Sequence, residues 1–587
     1  MAMRSRALSL LFLSTVSVAG IAAAVACGSE EGSVFTPPPP DATDVIAVTP
    51  APTGFSPGPD AEVPNFPEKP IIDGTAPANA KEIFDAAEFA AAGGPCLMEP
   101  EVGSMFPRNW LRPRFKWIAT DALKPGNEGD AGGTPQTLFE LRLHADGQKN
   151  DLVVYTTNTA WTMPRAMWDA VRTSPSNRKM TMTVRGGTLV DGKLTNASAG
   201  SSGPLEVAPV DAPGTIVYWT TASSDYFDSG KYNPVLKGFH VGDESVRDVL
   251  HPQQVPDMPS GKVKCVGCHT STPDGNFTVS STRTVSEGDG PTSIGFGLVD
   301  GGAGLPPYVS PSAKTLFDRP YQAAPSFSAG HFRDGDRVAV TMLRLQAGDP
   351  FDLIWTDLEA KSTAKGEGWG VFSRTGDPNN PAAASVSHDG SKIVYISTET
   401  VDTSGNIVID GELYTIPWND RKGGPATPLT GANQAGSRQY YPAFSSDDAL
   451  VAFDRAPIRS GTSSYDDAQG EIYVIPSGGA TRATRLAAND PPACSGSKSP
   501  GTHNSWPKWS PDVGTDNGTK YYFIVFSSSR NNGTKRLGAR LYLTPVVVDT
   551  AGNITTYSAL YLWNQPETED NHSPAWDTLL IPDEVVK

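Results

Sequence analysis

The feature that most constrains this chain is a repeat of long period. A proline or small residue, an apolar or aromatic residue, then serine and an aspartate-bearing turn recur ahead of β-rich runs. The starts are His269-Thr-Ser-Thr-Pro-Asp-Gly, Pro325-Ser-Phe-Ser, Ala384-Ser-Val-Ser-His-Asp-Gly, Pro442-Ala-Phe-Ser-Ser-Asp, Pro507-Lys-Trp-Ser-Pro-Asp and Pro574-Ala-Trp-Asp. These six starts lie 56 to 67 residues apart. Self-similarity at such a period marks units that cannot bury their apolar faces alone and must stack on neighbours. Each start precedes strand-like sequence such as Lys392-Ile-Val-Tyr-Ile or Tyr521-Tyr-Phe-Ile-Val-Phe, and often a later strand such as Leu413-Tyr-Thr-Ile. One four-stranded blade per repeat fits, with long loops, since a lean blade takes roughly 40 to 45 residues.

With these residues in view, the chain from about Val210 to its C-terminus resembles TolB-type propellers, whose repeat carries a Pro-x-Trp-Ser-Pro-Asp-Gly core on the innermost strand. The match is good at Pro507, fair at His269, Ala384 and Pro442, and partial at Pro325, where Ala329-Gly-His-Phe interrupts the turn, and at Pro574. The resemblance implies a β-propeller and says little about function. After Pro574-Ala-Trp-Asp-Thr-Leu-Leu-Ile only six residues remain, and an incomplete blade would expose strand edges. Thr215-Ile-Val-Tyr-Trp-Thr and Val235-Leu-Lys-Gly-Phe-His read as strands without a repeat start of their own. The expectation is a six-bladed propeller over 210–587, closed between residues near 215–240 and the C-terminal strand.

Upstream, Arg114-Phe-Lys-Trp-Ile, Leu138-Phe-Glu-Leu-Arg-Leu, Leu152-Val-Val-Tyr, Met180-Thr-Met-Thr-Val and Leu205-Glu-Val alternate apolar and polar residues, as half-buried strands do. They predict an Ig-like or fibronectin-like β-sandwich over 91–209, with Trp117 in its core. The fold class is therefore all-β. Residues 28–90 are proline-rich, with Pro37-Pro-Pro-Pro, and read as an extended tether ending in a short helix over Ala86–Ala92 or in more tether. Residues 1–27 carry Arg4 and Arg6 ahead of an apolar run ending Ala24-Val-Ala-Cys27. This resembles a bacterial lipoprotein signal, with Cys27 as the lipid-bearing residue; an ordinary export signal cleaved near Ala26 is the alternative. Gly28 after the cysteine resembles lipoproteins sent to the outer membrane. Membrane attachment is thus expected through the N-terminal lipid, since no later apolar run is long enough to span a bilayer.

The balance of 47 basic against 64 acidic residues, net −17, argues against a nucleic-acid partner. One stretch names a cofactor. In Cys265-Val-Gly-Cys268-His269, two thiols three residues apart can each add across a haem vinyl while the adjacent imidazole ligates the iron. One covalent haem c is the expectation, with Cys265, Cys268 and His269 holding it; a disulfide or a bare metal-binding pair is the duller reading. Zinc lacks a second ligand pair, and Asp389 and Asp466-Asp467 lack the alternating oxygens of a calcium loop. Because His269 aligns with the prolines that begin the inner strands, both cysteines are expected in the loop entering that strand, at one mouth of the channel. Ring closure would bring His572 close, making it the first candidate for a sixth iron ligand, ahead of His503 and Met258. The two remaining cysteines, Cys96 and Cys494, form an even pair in an oxidising compartment, open to a disulfide that would tie the first domain to the far end of the second.

The functional expectation is an exported, lipid-anchored mono-haem carrier performing one-electron transfer at the cell envelope with a redox partner the sequence does not identify. Two alternatives stand beside it. One is an envelope binding or scaffold propeller, as TolB-like propellers bind partner proteins, with a structural haem or a plain disulfide. The other is a haem-dependent, peroxidase-like enzyme, which needs an open iron position and an acid–base group beside it. No Gly-x-Ser-x-Gly elbow supports a hydrolase.

Overall fold

The computed structural model describes residues 66–119, 136–174, 179–222, 235–284, 292–298, 304–402, 407–465, 467–533 and 538–581. The expected signal, Cys27 and most of the tether lie outside these residues, as does Asp466. The chain is mostly β, a succession of small antiparallel sheets of the kind that makes a propeller. No helix among the described residues is long and apolar enough to cross a membrane.

Folded structure begins well before residue 90. Phe66 is buried, Ile71–Asp73 pairs in parallel with the strand Leu152–Thr156, and a helix spans Ala80–Asp85 rather than Ala86–Ala92. Its apolar positions Ala80, Ile83 and Phe84 recur at helical spacing and face inward, which overrides the proline-rich surroundings. The strand then joins a six-stranded sheet in the order Ile71–Asp73, Leu152–Thr156, Leu138–His144, Lys179–Val190, Lys193–Val207, Ser104–Phe106. A second, three-stranded sheet runs Cys96–Glu99, Arg114–Ile118, Ala160–Thr162. Arg114–Ile118 alternates half-buried and buried residues, and its Trp117 meets Phe139 of the other sheet edge-on, with ring centroids 5.5 Å apart. The expected core position of Trp117 is therefore found.

This region is no free-standing spacer. Its core residues Trp110, Phe115 and Trp168 belong to one buried cluster with Phe523, Leu541, Leu543 and Trp576 from the C-terminal third. Cys96 and Cys494 form a disulfide across 398 residues of sequence. A buried ion pair adds to the tie: the Arg530 guanidinium donates to Glu101 at 2.9 Å.

Beyond residue 209, the inner strands Val263–Ser271, Gln322–Phe327, Asn380–Val386, Ser437–Phe444 and Ser505–Trp509 each open a sheet of their own, pairing antiparallel with the strand that follows. Glu569–Asp577 has no strand after it. It pairs instead with Thr215–Ala222, in register Thr215↔Asp577 and Trp219↔His572, and the sheet continues through Val235–His240 and Arg247–Leu250. The two ends of this half of the chain are thus stitched into one sheet.

The serine and aspartate of the repeat explain the turns. Thr272 Oγ1 donates to Asp274 at 2.5 Å, Ser387 Oγ to Asp389 at 2.7 Å and Ser445 Oγ to Asp447 at 2.8 Å. Such local side-chain bonds fix the reversal between an inner strand and its neighbour. At the second repeat a helix, Ala329–Arg333, replaces that turn, capped by Ser328 on the His331 N–H.

Candidate functional site

The inner strands share one irregularity. Each carries a residue in the left-handed region directly before the repeat start: Cys268 (φ 42°), Ala324 (54°), Ala383 (26°), Tyr441 (50°), Trp506 (62°) and Ser573 (44°). The strand register slips at each of these points. A bulge of this type tips one side chain off the face of its sheet. Cys268, Ala383, Tyr441 and Trp506 come from four different sheets, and Cys268 and Ala383 pack against the same buried cluster that holds Tyr441 and Trp506. Cys268 thus faces the centre.

This placement changes the reading of the Cys265–His269 segment. Both cysteines lie inside the strand Val263–Ser271 rather than in a loop ahead of it, with Cys265 opposite Arg283 and His269 opposite Ser280. Cys265 is buried at the seam with Val217, Trp219, Met258 and Val266. Cys268 is a free thiol, and burial pushes its pKa up to about 12, so it stays protonated at neutral pH. His269 turns toward the closing sheet, where its Nε2 donates to the Val217 carbonyl at 3.3 Å. Burial pulls the imidazole down to about 4, so it is neutral, and its Nδ1 is buried without a hydrogen-bond partner.

A covalent haem needs two sulfurs along one edge of one ring and the imidazole over its iron. Here Cys265 is engaged at a seam, Cys268 points to the axis and His269 to a backbone carbonyl of the next sheet. Cys268 points away from the Val217 seam that Cys265 and His269 share, and this arrangement does not fit a haem. No group of three or more His, Cys, Asp or Glu side chains among the described residues could hold a bare metal ion either.

Of the candidate sixth ligands, His572 and Met258 lie at the seam with Cys265 and His503 does not. His572 sits directly across from Trp219, with ring centroids 6.0 Å apart, on the seam that also buries Met258 and Cys265. Met258 is held in a tight turn by paired backbone bonds with Gly261. His503 precedes the inner strand Ser505–Trp509, its N–H on the Ala468 carbonyl at 3.2 Å, in the fifth of the six repeats rather than beside the first.

Two residues that the sequence did not single out lie near this point, Lys508 close to Cys268 and Asp454 close to Lys508. Lys508, two residues after the bulged Trp506, is depressed from its ordinary pKa chiefly by burial, and the titratable groups acting on it are Asp577, Cys268 and Asp454. Among the described residues its Nζ makes no hydrogen bond or ion pair. Asp454 is fully buried. One of its oxygens accepts from Ser505 Oγ at 2.8 Å and from the Trp506 N–H at 3.0 Å, and the other has no partner. Burial raises the pKa of this carboxyl well above the ordinary range. The one available signal was positional: the residue after each repeat start is Thr270, Ser326, Ser385, Ala443, Lys508 and Ala575, and only one of these is charged.

No protein-family model matches the chain, and no curated protein matches it. Among solved structures it is similar to one from a structural and mechanistic analysis of two prolyl endopeptidases, at 11% identity and a TM-score of 0.26, over 60% of this chain and 49% of that one. The chain therefore spans about half the length of that enzyme. It is also similar to endo-1,5-α-L-arabinanase from Thermotoga petrophila RKU-1, at 14% identity and a TM-score of 0.26, over 51% of this chain and 75% of that one. Likeness at this level transfers no activity from either enzyme.

Proposed function

We propose that this chain is a binding protein of the cell envelope, built as a six-bladed propeller behind an Ig-like or fibronectin-like module and held to the outer membrane by lipid on Cys27. The observation that carries the reading is the divergence of Cys268 from Cys265 and His269. Their strand pairs with its neighbour on both sides of the bulge at Cys268, so the segment serves the sheet and the channel wall rather than a porphyrin edge. The tether and signal expected from the sequence supply the location, and the acidic balance keeps nucleic acid out of the partner list.

Electron transfer by a haem c on Cys265, Cys268 and His269 is the second reading. It is favoured by the neutral imidazole whose Nδ1 is buried and unspent, and it requires the strand to refold locally so that both sulfurs reach one edge. A peroxidase-like activity needs that same rearrangement together with an open iron position. Expression in a host with cytochrome c maturation machinery, followed by haem staining of a denaturing gel and a reduced pyridine-haemochrome spectrum, separates the readings. The binding reading expects no covalent signal; a signal abolished by Cys265→Ala makes the protein a haem carrier.

A further inference from the structure

The helix Ala329–Arg333, which stands where other repeats have a serine–aspartate turn, is bonded to the next blade. The Gly330 N–H donates to the His388 carbonyl at 2.6 Å and Ser328 Oγ to the same oxygen at 3.1 Å. A Cβ on Gly330 would lie 2.7 Å from that carbonyl, so the close approach requires glycine. His331 crosses the same seam. Its Nε2 lies 2.9 Å from the Gly390 carbonyl and its Nδ1 3.0 Å from the Asp336 carboxylate. The ring rests on Trp418, centroids 4.2 Å and planes 32° apart. Both hydrogen-bond partners can only accept, and a neutral imidazole has a single N–H to give. Whichever nitrogen carried that proton, the other would turn a lone pair on an oxygen. Only the imidazolium makes both bonds at once, and a cation over the face of a tryptophan is favoured in addition.

We propose that His331 is a proton-operated latch between the second and third blades, closed while the imidazole is charged and released at one of its two bonds when it is neutral. Asp336 and Arg421 are the charged groups that act on the ring. Arg421 donates to Asp336, reaches Asp357 at 3.3 Å and lies over the Trp355 ring at 4.8 Å. The other charges nearby have partners of their own: Asp389, next to Gly390, accepts from Ser387 Oγ and the Ser391 N–H, Arg333 pairs with Asp334, and Arg337 with Glu359. The bond to Asp336 raises the imidazole above its ordinary 6.5, against burial and Arg421. The latch is therefore whole below pH 6.5 and is lost as pH rises through that raised value, opposite in sign to His269. The far side of the seam is poised to move. Asn419, Asp420 and Arg421 all hold left-handed backbone (φ 48°, 53° and 62°), a run that persists in non-glycine residues only where the surroundings impose it, as the anchorage of Arg421 does. The latch stands on this seam alone and holds whether or not the propeller binds a partner.

Hydrogen–deuterium exchange of the purified mature protein, read by mass spectrometry from about pH 5.5 to 8.5 and corrected for the chemical exchange rate, tests it, alongside nuclear magnetic resonance titration of the His331 ring. The expected result is that protection of the amides over 328–335 falls about tenfold or more as pH rises, with a midpoint equal to that of the ring. In His331→Gln, whose amide can donate to the Gly390 carbonyl but does not titrate, protection should be the same at both ends of the range. Near-ultraviolet circular dichroism, with exchange in the distant strand Thr519–Ser528 as reference, shows that the variant keeps the fold. Should it not fold, agreement of the two midpoints in wild type decides. Wild-type protection that does not change with pH, a fall whose midpoint departs from the ring titration, or the same fall in His331→Gln overturns the latch.

Discussion

Closure of the ring by the C-terminal strand can be tested through Trp576. Its side chain is 3% exposed, sits in the cluster shared with the N-terminal sheets, and donates from Nε1 to the Pro213 carbonyl at 2.9 Å. Trp576→Ala removes the ring from the seam that joins Glu569–Asp577 to Thr215–Ala222. Burial of an aromatic of about 150–250 Å² at roughly 25 cal/mol per Å² is worth about 4–6 kcal/mol as an upper figure. Truncations of this type cost about 3–5 kcal/mol in practice, and the stranded Pro213 carbonyl adds about 1 kcal/mol. The expected loss is therefore about 4–5 kcal/mol, read by urea unfolding followed by tryptophan emission and far-ultraviolet circular dichroism. Trypsin should also cut faster at Lys237 and Arg247, which lie on the strands that the C-terminal one holds. Leu580→Ala, at a side chain 62% exposed three residues beyond the strand, is the control and should change stability by less than about 0.5 kcal/mol. A loss below about 1 kcal/mol in Trp576→Ala, with trypsin cleavage unchanged, would refute closure at this seam.

Three further outcomes are expected. Replacing both Cys96 and Cys494 by serine opens a covalent loop of 398 residues, for which chain entropy gives on the order of 6 kcal/mol; urea unfolding of the variant and of reduced wild type should shift together. Asp467→Asn should destabilise by about 3–5 kcal/mol, because it leaves Arg438, 3.1 Å from that carboxylate and fully buried, as well as Arg459, without their shared anion. The neutral His269 gives a signed pH dependence: with the folded value near 4 and the ordinary value 6.5, its contribution is fully present above pH 6.5 and is lost as pH falls toward 4. Stability measured against pH should show on the order of 3 kcal/mol less of that acid loss in His269→Asn than in wild type.

The repeat phase was legible because it is written in local chemistry. A proline or its substitute follows each bulge, and the serine–aspartate turn closes each first hairpin, so Pro442 or Pro507 marks its strand without knowledge of the rest. The closing strand was legible for the opposite reason, as a fragment that could not stand alone. The helix Ala80–Asp85 was hidden by averaging over a proline-rich window, although Ala80, Ile83 and Phe84 already show helical spacing. The strand Lys193–Val207 was read only at its end, because Ala197 to Gly203 is nearly all small or polar and pairs through backbone with Lys179–Val190. The cofactor segment misled for a geometrical reason. A single extra residue in a strand reassigns every side chain after it to another direction, and the bulge at Cys268 decides which way each sulfur and the imidazole face. Spacing along the chain does not encode that slip.

The central claim is that Cys268 is a free thiol on the channel axis while Cys265 is buried at the Val217 seam. Peptide mapping by mass spectrometry, after alkylation of the exported protein under denaturing, non-reducing conditions in a host able to attach haem, tests it most directly. The account predicts an alkylated Cys268, no thioether on Cys265 and no haem on the peptide containing His269; one haem joined through thioethers to both cysteines would contradict it.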